Sequence, residues 1–158
     1  MNKETGFIDA APHLRWVLHR EKRQKIAIVV VQFFQDNPSI SFNTIACSGL
    51  SGLLIAPMIA DLTHTDLLVV RKDDEGCRSN KQVEGVRKAN IKYIIVDDLI
   101  DSGKTIKRII QQIDIHRNKA ELVGVYLYYR IKDRDGLEEQ QTDYQERIGH
   151  NVPFWCMG

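Results

Sequence analysis

The sequence contains no apolar run long enough to cross a bilayer. Its longest, residues 26–31 (IAIVVV), falls far short of the roughly 20 residues a spanning helix needs. That run also lies too deep in the chain for a secretory signal, and no small-residue cleavage site follows it. No membrane partner is expected. Cysteine is scarce: Cys47, Cys77 and Cys156 are widely spaced, odd in number and lack a C-x-x-C. That argues against a disulfide framework or a thiolate zinc site and fits reduced thiols in a cytoplasmic protein. The five histidines are scattered with no H-E-x-x-H. Neither sign of charge dominates, and a net charge of +1 leaves no global field to recruit nucleic acid. The one basic stretch, residues 15–25 (RWVLHREKRQK), reads equally well as a solvated helix face.

What is present is a chain of 158 residues with no repeat, low-complexity tract or linker, so one domain is expected. Residues 13–35 read as helical at both ends, and the VVV run leaves strand open in the middle. A turn at Asp36–Ser39 precedes a short strand over 41–47 and a glycine-bearing loop, SGLSG, at 48–52. A helix over about 52–62 is expected to be bent or started late by Pro57. Strands are predicted at 67–70 (LLVV), 93–96 (YIIV) and 121–129 (ELVGVYLYY), with an amphipathic helix at 105–113. Residues 73–85 are polar and read as a mobile loop, and the chain from Arg130 reads as irregular. Short strands alternating with helices argue for an α/β fold, a Rossmann-like parallel sheet flanked by helices. Ligands in such sheets sit beyond the carboxyl ends of the strands.

One such end carries unusual chemistry. In "YIIVDDLIDSGKT" (93–105) a buried strand runs into Asp97 and Asp98, then Asp101, Ser102, Gly103, Lys104 and Thr105 open a helix. A Walker A loop would need glycine five positions before the glycine of GKT, where Asp98 stands, so that reading fails. A receiver-type acidic pair normally opens the chain and lacks the Ser-Gly-Lys-Thr that follows. An ordinary acidic strand end with Asp101 or Ser102 as N-cap does not require the whole ordered string. Backbone N–H groups at 101–105, with the hydroxyls of Ser102 and Thr105, form a cradle for one phosphate. Two carboxylates one strand-end away can accept from a vicinal diol and support a hard cation. Phosphate and diol together describe a ribose 5-phosphate.

Here the chain resembles the type I phosphoribosyltransferases: "IIVDDLIDSGKT" looks like their phosphoribosyl-pyrophosphate (PRPP) motif. Upstream, "CSGLSGLLIAPMIADL" and "LLVVRK" are similar to their pyrophosphate loop, the following helix and the next strand. The likeness covers roughly residues 42–130. It implies one phosphoribosyltransferase domain with a core over about 25–130 and a mobile lid over about 73–85. The termini, about 1–24 and 131–158, would form a small hood. The implied ribose and Mg²⁺ residues are Asp97 and Asp98, the metal being held directly or through water. The 5-phosphate would fall on Asp101, Ser102, Gly103, Lys104 and Thr105. Pyrophosphate would meet Cys47, Ser48, Gly49, Arg71 and Lys72, in a loop that in the family often has a strained non-proline cis peptide. Arg78 and Lys81 are candidate lid cations. The implied reaction is transfer of a phosphoribosyl group from PRPP to a free base, with Mg²⁺ as cofactor and a homodimer as the assembly. No nucleic-acid partner is expected.

The base stays open. Asp101 stands where oxopurine enzymes carry an aspartate near the purine, a general acid/base candidate, which leans toward a purine. Those enzymes also place a lysine near the end of the strand matching 121–129, where this chain has Tyr128, Tyr129 and Arg130. The orotate branch follows its Arg-Lys with a further lysine and histidine, but Glu75 and Cys77 occupy those places here. Arg130, His150 and Trp155 are the base-binding candidates, Trp155 and Phe154 lying in a tail loosely similar to that of xanthine-guanine enzymes. Two alternatives accompany the enzyme reading: a non-catalytic PRPP- or nucleotide-binding regulator of the same fold, and a phosphorylase- or hydrolase-like use of the site.

Overall fold

A computed structural model describes residues 11–72, 82–86, 88–116, 119–129 and 137–157. Arg78, Lys81 and Arg130 lie outside the described residues. In chain order the elements are α1 (Pro12–Leu18), α2 (Arg20–Asp36), β1 (Thr44–Ser48), α3 (Gly49–Thr63), β2 (Asp66–Val70), β3 (Val83–Gly85), β4 (Lys92–Asp97), α4 (Lys104–His116), β5 (Glu121–Leu127), α5 (Leu137–Ile148) and β6 (Phe154–Cys156).

The six strands form one sheet in the order β3-β2-β1-β4-β5-β6. All pairings are parallel except β2 with β3. The expected α/β architecture is therefore present, with a short antiparallel edge. Alternate residues along each strand enter opposite cores. Ile45, Cys47, Ile94, Val96 and Tyr126 pack with α2 and α3, while Ala46, Tyr93, Ile95, Val125 and Leu127 pack with α4 and α5. Burial on both faces explains why the central strands are continuous apolar runs rather than alternating ones.

Three local expectations change. The VVV run is helical: in α2, Ile26, Ala27, Val30, Val31 and Phe34 recur at helical spacing and are buried, while Ile28 and Val29 stay exposed. Pro57 neither delays nor divides α3, which runs from Gly49 through Thr63. Residues 83–85 are strand rather than loop, because Val83–Gly85 completes the ladder on Leu68–Val70.

The stretch after Arg130 is also more ordered than its polarity implies. α5 is hydrophilic, yet Tyr144 and Ile148 pack it against the α4 side of the sheet. β6 adds a parallel strand beside β5, Val125 facing Phe154 in register.

Candidate active site

A cavity of about 260 Å³ opens at the carboxyl ends of β1 and β4. Its lining comprises Ser48, Ser51, Lys72 and every residue from Asp97 to Ile106. Thus Ser48, Lys72, Asp97, Asp98, Asp101, Ser102, Gly103, Lys104 and Thr105, separated by up to 57 positions in the chain, meet around one space.

Asp97 ends β4 and Asp98 follows it, both buried. Their backbone is held by the end of β5: Tyr128 N–H donates to the Asp97 carbonyl (3.1 Å) and Tyr129 N–H to that of Asp98 (2.9 Å). Asp97 Oδ1 accepts from the Asp98 N–H (3.0 Å) and from the Ser51 hydroxyl (3.1 Å). Burial, and after it the charge of Asp98, holds the Asp97 carboxyl above the ordinary carboxylate range.

The loop from Asp101 to Gly103 turns into α4. Gly103 has φ +72°, a left-handed conformation that suits glycine, and Lys107 N–H closes onto its carbonyl (3.0 Å). The first-turn N–H groups of α4 have no intrahelical acceptors and face the loop that lines the cavity. α5 braces this loop from outside: Arg147 donates to the Asp101 carbonyl (2.9 Å) while also pairing with Asp143 (3.1 Å). Ile148 lies against Gly103, within 3.3 Å of where a β-carbon would stand.

At the other side, Gly49 has φ +67°, and a β-carbon there would meet Lys72 Cε at 2.7 Å. The Lys72 stem therefore lies over bare backbone at the start of α3. Ser48 presents a buried hydroxyl with no hydrogen-bond partner among the described residues. Such a group costs about 1–3 kcal/mol unless something satisfies it. The peptide bonds of this loop are trans, not the cis geometry expected from the resemblance.

Other predicted site residues sit elsewhere. Cys47 is buried beneath the loop, its thiol pushed up to about 12 by burial first and Asp97 second. Arg71 is not among the lining residues and pairs with Glu84 across the β2–β3 edge. Trp155 packs against Phe33 and Phe34 (ring centroids 5.8 and 6.2 Å) and over Gly124, away from the cavity lining. His150 is exposed after α5 and does not line the cavity either. Two side chains in the hydrogen bonding around Asp97 were not foreseen, Ser51 directly and Tyr128 through Ser51. The second serine of SGLSG, one helical turn beyond Ser48, is the signal that could have found Ser51. Among the described residues no group of three or more His, Cys, Asp or Glu is arranged to hold a metal. None of their helices is long and apolar enough to cross a membrane.

No protein-family model matches the chain. Curated proteins do. The orotate phosphoribosyltransferase of Thermococcus kodakarensis is 31% identical over 101 residues, covering 63% of this chain and 52% of that protein. That of Coxiella burnetii is 29% identical over 89 residues, 56% of this chain and 42% of its own length. The chain thus spans about half the length of the curated relatives it matches. Among solved structures, Saccharomyces cerevisiae adenine phosphoribosyltransferase aligns with TM-score 0.65 and 17% identity, over 90% of this chain and 82% of the yeast chain. Aeropyrum pernix orotate phosphoribosyltransferase aligns with TM-score 0.63 and 18% identity, over 95% and 77% respectively. The chain is thus similar in sequence to orotate phosphoribosyltransferases over about half their length, and it shares the fold of the orotate and adenine phosphoribosyltransferases.

Proposed function

We propose that this chain binds PRPP in the cavity and transfers its phosphoribosyl group to a nitrogenous base, releasing pyrophosphate and giving a nucleoside monophosphate. One observation carries the reading: a helix N-terminus with hydroxyl donors and a buried carboxylate pair line the same space. In this reading the 5-phosphate rests on the loop from Asp101 to Thr105, where backbone N–H groups, Ser102, Thr105 and Lys104 meet it. Asp97 and Asp98 accept from the 2- and 3-hydroxyls of the ribose. Pyrophosphate lies toward Ser48, Gly49 and Lys72, where it satisfies the Ser48 hydroxyl. Cys47 contributes backbone only, since its buried thiol stays protonated. Arg78 and Lys81 remain candidate cations for the pyrophosphate, and Arg71, which pairs with Glu84 outside the cavity lining, would join them only by leaving that partner.

The bond from ribose C1 to the pyrophosphate oxygen breaks as a base nitrogen attacks from the opposite side. Bound Mg²⁺ supplies positive charge to the leaving pyrophosphate. The donor set fits: Asp97 and Asp98 offer hard oxygens, and the remaining ligands come from PRPP and water. Asp101, exposed at the cavity edge, is the candidate acid or base toward the acceptor. Relatives named orotate phosphoribosyltransferase make orotate the first base to test, and Asp101 keeps the oxopurines beside it. Free thiols at Cys47 and Cys156 suit the reducing cytoplasm to which the proposal assigns the protein.

The test is incubation with Mg²⁺, PRPP and adenine, hypoxanthine, guanine, xanthine, orotate, uracil or nicotinate, with products read by mass spectrometry. A base-dependent monophosphate is the expected result. PRPP bound without product for any base would move the protein to the regulatory reading, and absence of both would remove the site assignment.

A homodimer belongs to the same proposal. Trp16, Leu18, Ile28, Val29, Leu50 and Leu53 leave apolar surface exposed on α1 to α3, the kind of area a second copy covers. Sedimentation equilibrium is expected to give twice the chain mass, and a monomer at all concentrations would cancel this part.

A further inference from the structure

The carboxylate pair is held by a closed ring of hydrogen bonds that the motif itself does not contain. The Ser51 hydroxyl, on the first turn of α3, donates to Asp97 Oδ1 (3.1 Å). The Tyr128 hydroxyl, just past β5, donates to the Ser51 carbonyl (3.0 Å), and the Tyr128 N–H donates to the Asp97 carbonyl (3.1 Å). Three elements, β4, α3 and β5, are thereby tied at one point. Gly52 makes the approach feasible, since a β-carbon there would stand 2.9 Å from Cys47 Cβ and 3.3 Å from the Val96 carbonyl oxygen. With any larger residue the first turn of α3 would stand off from the strand ends, and Ser51 could not reach Asp97.

The chemistry of the ring is asymmetric. Both the Ser51 hydroxyl and the Asp98 N–H fall on Oδ1, so neither occupies Oδ2. A carboxylate held through one oxygen cannot rotate freely, so its orientation beside the cavity is set. Tyr128 is held for this role: it is buried, and both its hydroxyl and its N–H are engaged in the ring.

We propose that Ser51 is a positioning residue that sets Asp97 for the ribose diol, with Tyr128 fixing Ser51 in turn. This rests on the reading of the cavity as a ribose-phosphate site. The phosphate cradle at Asp101 to Thr105 is not part of the ring, so the two ends of the ligand should respond differently.

Calorimetry separates them. Ribose 5-phosphate and inorganic phosphate would each be titrated, with Mg²⁺ present, into wild type, Ser51→Ala, Ser51→Thr and Tyr128→Phe. Loss of one hydrogen bond of this kind is expected to weaken ribose 5-phosphate by about three- to tenfold in Ser51→Ala. Inorganic phosphate should bind as in wild type, Ser51→Thr should restore the sugar phosphate, and Tyr128→Phe should show a smaller loss in the same direction. A residue serving stability alone would move both ligands together or neither. Equal loss of both ligands, or ribose 5-phosphate binding unchanged in both Ser51→Ala and Tyr128→Phe, would overturn the proposal. Wild type that binds inorganic phosphate but not ribose 5-phosphate would instead overturn the ribose-site reading, and the role of Ser51 with it. Should Ser51→Ala not fold, Tyr128→Phe carries the same comparison.

Discussion

Replacing both Asp97 and Asp98 with asparagine is expected to remove Mg·PRPP binding and, in the same protein, to raise the melting temperature of the ligand-free form. The first effect follows from charge. Hydrogen bonds to ionised groups are worth about 1.5–3 kcal/mol each, so losing the two carboxylates weakens binding by at least about a hundredfold. In the proposed site a bound cation would also lose two hard oxygen donors. The second effect follows from burial. The Asp97 carboxyl is held above its ordinary range, by desolvation first and by Asp98 second. Folded protein therefore keeps a proton at pH values where the unfolded chain has lost it, and unfolding releases that proton. Stability from this group is full below the ordinary Asp range, about pH 4, and falls as pH rises toward the folded value. Asparagine has no charge to desolvate, and its side-chain oxygen can still accept from Ser51 and from the backbone at 98.

Thermal melts without Mg²⁺ or PRPP should show wild type losing stability relative to the double variant between about pH 4 and neutrality. Each kcal/mol recovered corresponds to about 2–4 °C in a domain this size. Parallel pH curves would mean the pair is not strained, and undiminished PRPP affinity would remove it from the site. The combination, a more stable protein that no longer binds, is what a functional carboxylate pair kept at a cost to the fold should give.

A large effect on stability alone is expected at Gly124. This residue lies in β5 beneath Trp155, and a β-carbon would stand 2.5 Å from two ring atoms and 2.8 Å from the Pro153 carbonyl oxygen. Its backbone is not left-handed, so space rather than conformation demands glycine. Gly124→Val must therefore push Trp155 off Phe33 and Phe34 and strain the β5–β6 ladder. Overpacking of this sort costs about 1–3 kcal/mol. Urea denaturation is expected to show that loss, and Trp155→Ala in the Gly124→Val background should recover part of it. Strict additivity of the two substitutions would show that the contact does not limit packing. The same geometry bears on base recognition, because an indole held between α2 and Gly124 stabilises the sheet edge where the tail resemblance suggested a stacking ring.

How much of this was legible beforehand depended on how local each feature is. The string from Tyr93 to Thr105 encodes strand, acidic end, turn and helix within 13 residues, so the element types and their order could be read directly. The alternation of apolar runs with helical spacing likewise fixed a parallel α/β sheet, and the carboxyl-end rule then indicated where a ligand should lie. Continuous apolar stretches were harder: IAIVVV satisfies strand and buried helix alike, and only packing of α2 on the sheet decides between them. α5 and β6 escaped notice because a hydrophilic helix with two anchors and a three-residue strand carry almost no periodic signal.

Contacts between distant positions lay beyond any local reading. Ser51 and Asp97 are 46 residues apart, Tyr128 and Ser51 are 77 apart, and Arg147 reaches Asp101 across 46. Each depends on sheet register and on how closely α3 and α5 can approach, quantities set by side-chain volume across several elements at once. That an acidic strand end adjoins a glycine-containing helix start could be read from the chain alone, because both are written in one segment. Which hydroxyl holds Asp97, which arginine braces the loop, and that Trp155 packs on Phe33 and Phe34 were decided by the fold, since a side chain's partner is whatever the assembled core brings within reach.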